Sequence, residues 1–281
     1  MSGNKRKVTM IGAGPAGIAA AQQCIREGIK DVLVLEKERI GGLICQANRI
    51  ENFPGFVGKD GRRLAEELKG IVSKYDIDVE HREVKKIEKI EDGFRLETDK
   101  GSEVTEYLVL ATGTAPRSLG FQGEVYHPEW RDHSGKKVVI VGGGDAAYDY
   151  ALRINRLGGD VVILRRSGPK ALPVLVKEAR EKGIEEKMGE PEDIHKKEDG
   201  FVVRYDEKEV SADTVITAIG REPRFPDSDF YLDPEEVNFP TGETNIDDLF
   251  MIGSNVLGTY RQTSLCWGMG IAAGMKLSSM I

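Results

Sequence analysis

The chain has 281 residues, enough for two compact domains that each bury their own core. Hydrophobic residues make up 40% and charged residues 31%, with 33 glycines, which is the composition of a globular, turn-rich enzyme and excludes a disordered chain. A net charge of -7 argues against a nucleic-acid partner, because binding a phosphate backbone needs a basic surface.

No apolar run approaches the roughly 18 residues that span a bilayer. Lys5-Arg6-Lys7 leads straight into a strand pattern instead of a signal-peptide core, so no membrane association and a cytoplasmic location are expected. The three cysteines, Cys24, Cys45 and Cys266, are widely spaced and form no Cys-x-x-Cys, as suits a reducing compartment. His81, His127, His133 and His195 have no zinc-ligand spacing, and no metal is expected.

Val8-Thr9-Met10-Ile11 reads as a short strand that breaks at Gly12-Ala13-Gly14-Pro15-Ala16-Gly17 and continues as an Ala-rich helix to about Glu27. Gly28 stands where a left-handed residue ends a helix. A second strand, Val32-Leu33-Val34-Leu35, stops at Glu36. Each piece of this βαβ unit has a physical use. Gly12 permits the tight turn, Gly14 lets the backbone approach a pyrophosphate, and Gly17 allows close helix–strand packing. The helix start offers free N–H groups to the anion, and Glu36 can accept hydrogen bonds from ribose hydroxyls.

Phe94 to Thr98 alternates as an antiparallel hairpin strand does, whereas Lys85 to Asp92 reads as a solvated strand. Tyr107 to Gly113 is a strand closing on the small-residue turn Ala111-Thr112-Gly113. The opening plan then recurs. Val138 to Val141 precedes Gly142-Gly143-Gly144-Asp145-Ala146-Ala147, a helix to about Leu157, and the strand Val161 to Leu164. Where Glu36 stood in the first unit, Arg165 and Arg166 stand in the second. Guanidinium groups there pair with a 2′-phosphate that a carboxylate would repel, which favours NADP(H) over NAD(H). Glu185-Glu186-Lys187 and His195-Lys196-Lys197 read as surface, and Phe201 to Tyr205 as a second hairpin strand. Val215 to Arg221 ends the inserted region, and Leu249 to Gly253 with a helix from Thr263 to Ser279 closes the first domain.

The fold class expected is therefore α/β, with two Rossmann-like dinucleotide-binding domains, the second inserted in the first. Each is three-layered, with a parallel central sheet and antiparallel β-hairpin additions. The boundaries expected are 1–115 and 241–281 for the first dinucleotide-binding domain and 116–240 for the second, NAD(P)-binding one.

Gly12 to Gly17, Gly41-Gly42, Glu51-Asn52-Phe53-Pro54-Gly55, Ala111-Thr112-Gly113, Gly142 to Ala147 with Arg165-Arg166, Ala218-Ile219-Gly220-Arg221 and Tyr260-Arg261-Gln262-Thr263 together carry a resemblance. The chain resembles the low-molecular-weight thioredoxin reductase-like flavoproteins of the pyridine nucleotide-disulfide oxidoreductase superfamily, a group with a ferredoxin-NADP reductase branch. The resemblance implies FAD at the first site and NADPH at the second. It puts Gly41, Gly42 and Asn52 against the isoalloxazine, and Thr112 and Gly113 along the FAD phosphates or ribityl chain. Gln262 and Thr263 would start the last helix beneath the flavin pyrimidine, where its positive end stabilises charge on the ring. The candidate cofactor-binding set also takes in Pro15, Ala16, Lys37, Val84, Ala111, Gly253, Arg261, Asp145, Ala146, Ile219, Gly220 and Arg221. A homodimer is expected from the resemblance alone.

Two departures stand out. Disulfide-reducing members carry Cys-x-x-Cys ahead of the second nucleotide turn, but residues 115–137 here contain no cysteine, which excludes thioredoxin reduction by that route. The family's aspartate on the ribityl chain is replaced by Ser254, which can supply one hydrogen bond but no charge. Cys45 follows Gly41-Gly42 closely but lacks a second cysteine beside it; it reads first as a small packed residue, with a redox role or a Cys45–Cys266 pair as alternatives. Trp267 reads as core packing on the last helix.

The activity expected is hydride transfer from NADPH to flavin and onward electron transfer to an acceptor such as an iron-sulfur or other redox protein, a quinone or a small disulfide. The flavin itself is the reacting group, and no side chain need act as catalyst. The ferredoxin-reductase branch often has further residues after the last helix, and the chain's end at Ile281 weighs against that acceptor. The alternatives are a flavin-containing electron-transfer subunit, or a ferredoxin or disulfide reductase that NADPH does not reduce directly.

Overall fold

The computed structural model describes residues 5–281 and divides the chain into two units, Met1–Cys45 with Ile50–Thr114 and Pro223–Ile281, and Gln46–Arg49 with Ala115–Glu222. In chain order the first unit opens with β1 (Arg6–Ile11), α1 (Pro15–Arg26), β2 (Val32–Glu36), a 3-10 turn over Gly42–Gln46, and α2 (Gly61–Tyr75). It continues through β3 (Asp78–His81), β4 (Val84–Ile90), β5 (Gly93–Thr98) and β6 (Gly101–Leu110). The chain leaves by β7 (Thr114–Pro116) and builds β8 (Lys137–Val141), α3 (Asp145–Arg156), β9 (Asp160–Arg165) and α4 (Pro173–Glu181). Then come β10 (Glu185–Met188), β11 (Pro191–Lys197), β12 (Gly200–Tyr205), β13 (Lys208–Ala212) and β14 (Thr214–Thr217). It returns by β15 (Arg221–Pro223) and ends with β16 (Asp227–Ser228), β17 (Leu249–Met251) and α5 (Thr263–Met280).

The described residues of the first unit form an eight-stranded sheet in the order β16-β4-β5-β6-β1-β2-β3, with β17 also on β6. β1, β2, β3, the C-terminal half of β6 and β17 are parallel, with Ile11 opposite both Leu35 and Leu110. β4 and β5 extend the N-terminal half of β6 as an antiparallel meander. Alternate strand residues divide between two cores, because successive side chains point to opposite faces. Val8, Met10, Val34 and Val109 pack under α1 and α5, while Ile11, Leu33, Leu35 and Leu110 pack with Phe94, Leu96 and Ile87. β4 is therefore no solvated strand, since Ile87 is fully buried.

α5 buries Cys266, Met269, Ala273 and Leu277 in the core while Leu265 and Met275 on its other side are exposed, and its closeness to α1 depends on glycine. A Cβ on Gly270 would lie 2.8 Å from Ala19 Cβ, and one on Gly274 would lie 2.6 Å from Gln23 Cβ. Trp267 is half-buried against the same core, as expected. α2 was not expected, although its signals are present. Asp60 caps it by accepting from the N–H groups of Arg62 and Arg63, and Leu64, Leu68, Ile71 and Val72 recur at helical spacing.

The second unit repeats the plan with a parallel sheet β10-β9-β8-β14 and a separate antiparallel sheet β11-β12-β13. Val138, Ile140, Val161 and Ile163 pack against α3 and α4; Val139, Val141, Val162 and Leu164 pack against Phe201, Val203 and Tyr205 of the antiparallel sheet. α4, also unforeseen, starts on Pro173 at its first turn, where a missing N–H costs nothing.

The boundary expected at residue 240 is corrected to 222. Asp227 and Ser228 pair with Lys86 and Ile87 of β4, and Phe225, Phe230, Leu232 and Val237 pack on the first unit's core. Apolar residues in that stretch, not the glycine and proline near 240, decide where the chain rejoins. No helix among the described residues is long and apolar enough to cross a membrane.

Candidate dinucleotide sites

In the first unit the turn between β1 and α1 is built around glycine. Gly12 has φ +109°, and a side chain there would run into the carbonyl oxygen of Ala111. Gly17 presses on the Gly12 carbonyl, so the helix lies close to the strand end. Gly14 differs: it is the N-cap of α1, no side chain caps it, and nothing lies within 4 Å of the Cβ it lacks. That open face at a helix start is where an anion can reach backbone N–H groups. Pro15 and Ala16 form the first turn.

Glu36 ends β2 and its carboxylate is already engaged. Oε2 accepts from Ala13 N at 2.7 Å, and Oε1 accepts from Glu38 N at 2.7 Å and Arg39 N at 3.3 Å. A carboxylate offers about four acceptor positions, so about one remains, on Oε2. The neighbouring Lys37 pairs loosely with Glu38 at 3.7 Å. Gly41 and Gly42 both have positive φ, and Gly41 N donates to Ala13 O at 2.8 Å. A Cβ on Gly42 would lie 3.7 Å from Gly14 Cα, which brings this loop to the same turn.

Ala111 N donates to Ile11 O, which lays the end of β6 beside β1. Thr112 Oγ1 donates to Arg224 O at 2.5 Å, and Arg224 N reaches Gly113 O at 3.4 Å. Val84 is buried at the start of β4. Gly253 has φ +85°, and Ser254 Oγ lies 3.4 Å from Cys266 Sγ. Arg261 is exposed, Gln262 is the N-cap of α5 without a side-chain cap of its own, and Thr263 begins the helix. Asn52 Nδ2 donates to Gln262 Oε1 at 2.5 Å.

Asn255 was missed by sequence reasoning. It is 1% exposed, and its Nδ2 donates to Leu110 O at 2.9 Å with Thr112 Oγ1 at 3.4 Å. Its Oδ1 has no hydrogen-bond partner among the described residues. An amide directly after Gly253-Ser254, in an otherwise apolar stretch, was the available signal.

Neither cysteine near these turns is set up as a nucleophile. Burial pushes the thiol of Cys45 up, against the opposing pull of Arg39, and its Sγ would lie 3.1 Å from a Cβ on Gly41. Burial likewise raises Cys266, and the hydrogen bond with Ser254 offsets only part of it. Cys266 is a free thiol, so the two are not bridged. Cys24 is fully buried, and burial pushes it up to about 12.

In the second unit Gly142 (φ +148°) meets Ala218 O as Gly12 meets Ala111 O. Gly144 is again an uncapped N-cap with open space, and Ala147 is fully buried in place of the third glycine. Asp145 Oδ1 accepts from Leu172 N at 2.8 Å, and Ala146 is exposed. Ile219 is 37% exposed, Gly220 has φ +115°, and Arg221 is half-buried.

The arginine pair is not uniform. Arg165 Nε donates to Glu186 Oε2 at 2.9 Å, and its side chain is only 14% exposed. Arg166 is 70% exposed, with Glu190 at 3.6 Å. Glu186, expected at the surface, is instead half-buried and also accepts from Tyr148 Oη and Arg180 Nε, each at 2.8 Å. Three charge-assisted or hydroxyl donors draw this carboxylate inward. They outweigh the burial that opposes ionisation and hold it below the usual carboxylate range.

Two mostly parallel sheets, each with a glycine turn opening onto an uncapped helix, define a two-domain Rossmann-like protein of the α/β class. The family model for pyridine nucleotide-disulphide oxidoreductases matches residues 6–270, and the chain belongs to that family. A thioredoxin reductase from Treponema pallidum (strain Nichols) is 32% identical over 57% of this chain and 55% of its own length. A ferredoxin–NADP reductase from Streptococcus pneumoniae serotype 19F (strain G54) is 29% identical over 63% of this chain and 59% of its own. The matched stretch thus spans little more than half of these relatives. Among solved structures, thioredoxin reductase from T. acidophilum superposes with a TM-score of 0.88 at 26% identity, covering 99% of both chains. Bacillithiol disulfide reductase from Bacillus cereus shares the fold, with a TM-score of 0.81 at 21% identity over 99% of this chain and 100% of its own.

Proposed function

We propose that the protein is an FAD-dependent oxidoreductase that passes electrons between NADP(H) and a separate acceptor, with no cysteine pair in the path. The observation that carries this reading is one cradle occurring twice with opposite charge at its rim. Gly14 and Gly144 each open an uncapped helix to an anion, with Glu36 beside the first and Arg165-Arg166 beside the second. A carboxylate suits ribose hydroxyls and guanidinium groups suit a 2′-phosphate, which supports FAD for the first unit and NADP(H) for the second. Family membership and the relatives' names support the same pairing.

The residues of the first cradle fit FAD. Gly14 leaves space for a pyrophosphate, Glu36 keeps about one acceptor position for a ribose hydroxyl, and the buried Oδ1 of Asn255 awaits a donor near Thr112. FAD, when bound, supplies the hydride and electron chemistry. This chain's own residues bind and orient. The start of α1 would hold the pyrophosphate, Gly41-Gly42 and Thr112-Gly113 would offer backbone to the cofactor, and the positive end of α5 would favour negative charge on it. Cys45 and Cys266, protonated at neutral pH because burial raises both thiols, supply no thiolate. The acceptor is a redox protein such as an iron-sulfur protein, a quinone or a small disulfide, and the working form is a cytoplasmic homodimer.

A second reading is a flavin-containing electron-transfer subunit, or a ferredoxin or disulfide reductase that NADPH does not reduce directly. Its support is that the second cradle opens on an uncapped glycine, Gly144, just as the first opens on Gly14, and this feature alone does not distinguish one dinucleotide from another. Flavin stoichiometry of the purified protein separates the two. One FAD per chain is expected, and more than one would move the second reading to the front.

A further inference from the structure

Glu186 lies on β10 opposite Ile163, one strand away from the arginine pair that ends β9. Its Oε2 accepts from both Tyr148 Oη and Arg165 Nε, and its Oε1 accepts from Arg180 Nε, so one carboxylate gathers two guanidinium groups. The stem of Arg165 crosses the glycine turn: a Cβ on Gly143 would lie 3.3 Å from Arg165 Cβ and 3.7 Å from its Cδ. Arg165 Nη1 donates to Ser167 O at 2.7 Å. Of the five N–H donors of the guanidinium, Nε is engaged by Glu186, Nη1 by Ser167 O and by Met188 Sδ at 4.0 Å, and the two on Nη2 remain.

We propose that Glu186 is the positioning residue for nucleotide choice: it holds the Arg165 guanidinium beside the Gly142-Gly143-Gly144 turn, with the remaining donors preset for a 2′-phosphate. The proposal rests on the NADP(H) reading of the second unit. An exposed arginine gains little from a phosphate in water, because ordering a long side chain and salt screening consume most of the attraction. Fixing the planar fork in advance removes that cost and makes bidentate pairing available. Arg166, exposed and loosely paired, adds charge but no fixed plane. Glu186 does not neutralise the site, since Arg165 and Arg180 together outnumber it by one positive charge.

The test is calorimetric titration of the flavin-loaded protein with ADP-ribose and with its 2′-phosphate, neither of which can reduce flavin. The wild type is expected to prefer the phosphorylated ligand by about tenfold or more. Glu186→Gln replaces a charged acceptor by an amide and is expected to erase most of that ratio through the phosphorylated ligand alone. Glu186→Asp keeps the charge but withdraws it by one methylene. It is the second variant should the amide impair folding, and it must lower the ratio as well. An unchanged or increased ratio in either folded variant overturns the proposal. A wild type without preference overturns the NADP(H) reading itself, which separates that failure from this one.

Discussion

Asn52 and Gln262, 210 residues apart, are joined by a 2.5 Å hydrogen bond from the amide of one to the Oε1 of the other. Residues read separately as flavin neighbours thus form a pair that ties the 51–55 loop to the start of α5. Asn52→Ala and Gln262→Ala are each expected to speed FAD release, followed by flavin fluorescence. The double variant should lose no more than the weaker single one, a coupling of about 1 kcal/mol. Additive losses would show that the two residues act independently.

The contact of α1 with α5 depends on missing side chains. Gly270→Ala would press on Ala16 and Ala19, and is expected to cost about 2 kcal/mol or more in denaturant unfolding. Gly268, in the same helix, has nothing within 4 Å of its missing Cβ. Gly268→Ala should therefore be neutral or stabilising by up to about 1 kcal/mol.

Asp149 gives the second unit a pH dependence. Burial raises its carboxyl to about 6, opposed by the hydrogen bond from Asn48 N and by Arg153. Because the folded value lies above the unfolded one, the folded chain keeps a proton that the unfolded chain releases between about pH 4 and 6. Stability is fully present below that window and falls across it by roughly 2 to 3 kcal/mol. Asp149→Asn should flatten the fall when unfolding midpoints are compared at pH 5 and pH 7. A variant whose midpoints move as the wild type's do would remove Asp149 as the cause.

The cysteines should be silent in turnover. Cys45→Ser and Cys266→Ser are each expected to leave the rate of electron transfer to any disulfide acceptor within about twofold of wild type, since neither thiol is favoured as thiolate. A loss of disulfide reduction confined to Cys45→Ser would restore a redox role for it.

What was legible in the sequence was whatever local geometry dictates. Gly12 and Gly142 announce a turn no other residue can make, and Glu36 and Arg165-Arg166 are placed by counting from it. Glu186 was hidden because a Glu-Glu-Lys run looks solvated, while the partners that draw it inward, Tyr148 and Arg165, lie 38 and 21 residues away. Asn255 was hidden for the same reason, since its carbonyl partner Leu110 is 145 residues distant. The boundary near 240 was misjudged because glycine and proline mark turns, whereas the burial of Phe225 and Phe230 decides membership of a core.

The central claim is that two nucleotide sites work in series, and anaerobic titration of the yellow protein with NADPH and separately with NADH tests it most directly. Bleaching of the flavin at about one equivalent of NADPH, with NADH much slower, is the predicted result. A flavin that stays oxidised with both nucleotides would contradict the account and leave the second cradle without a role as hydride-donor site.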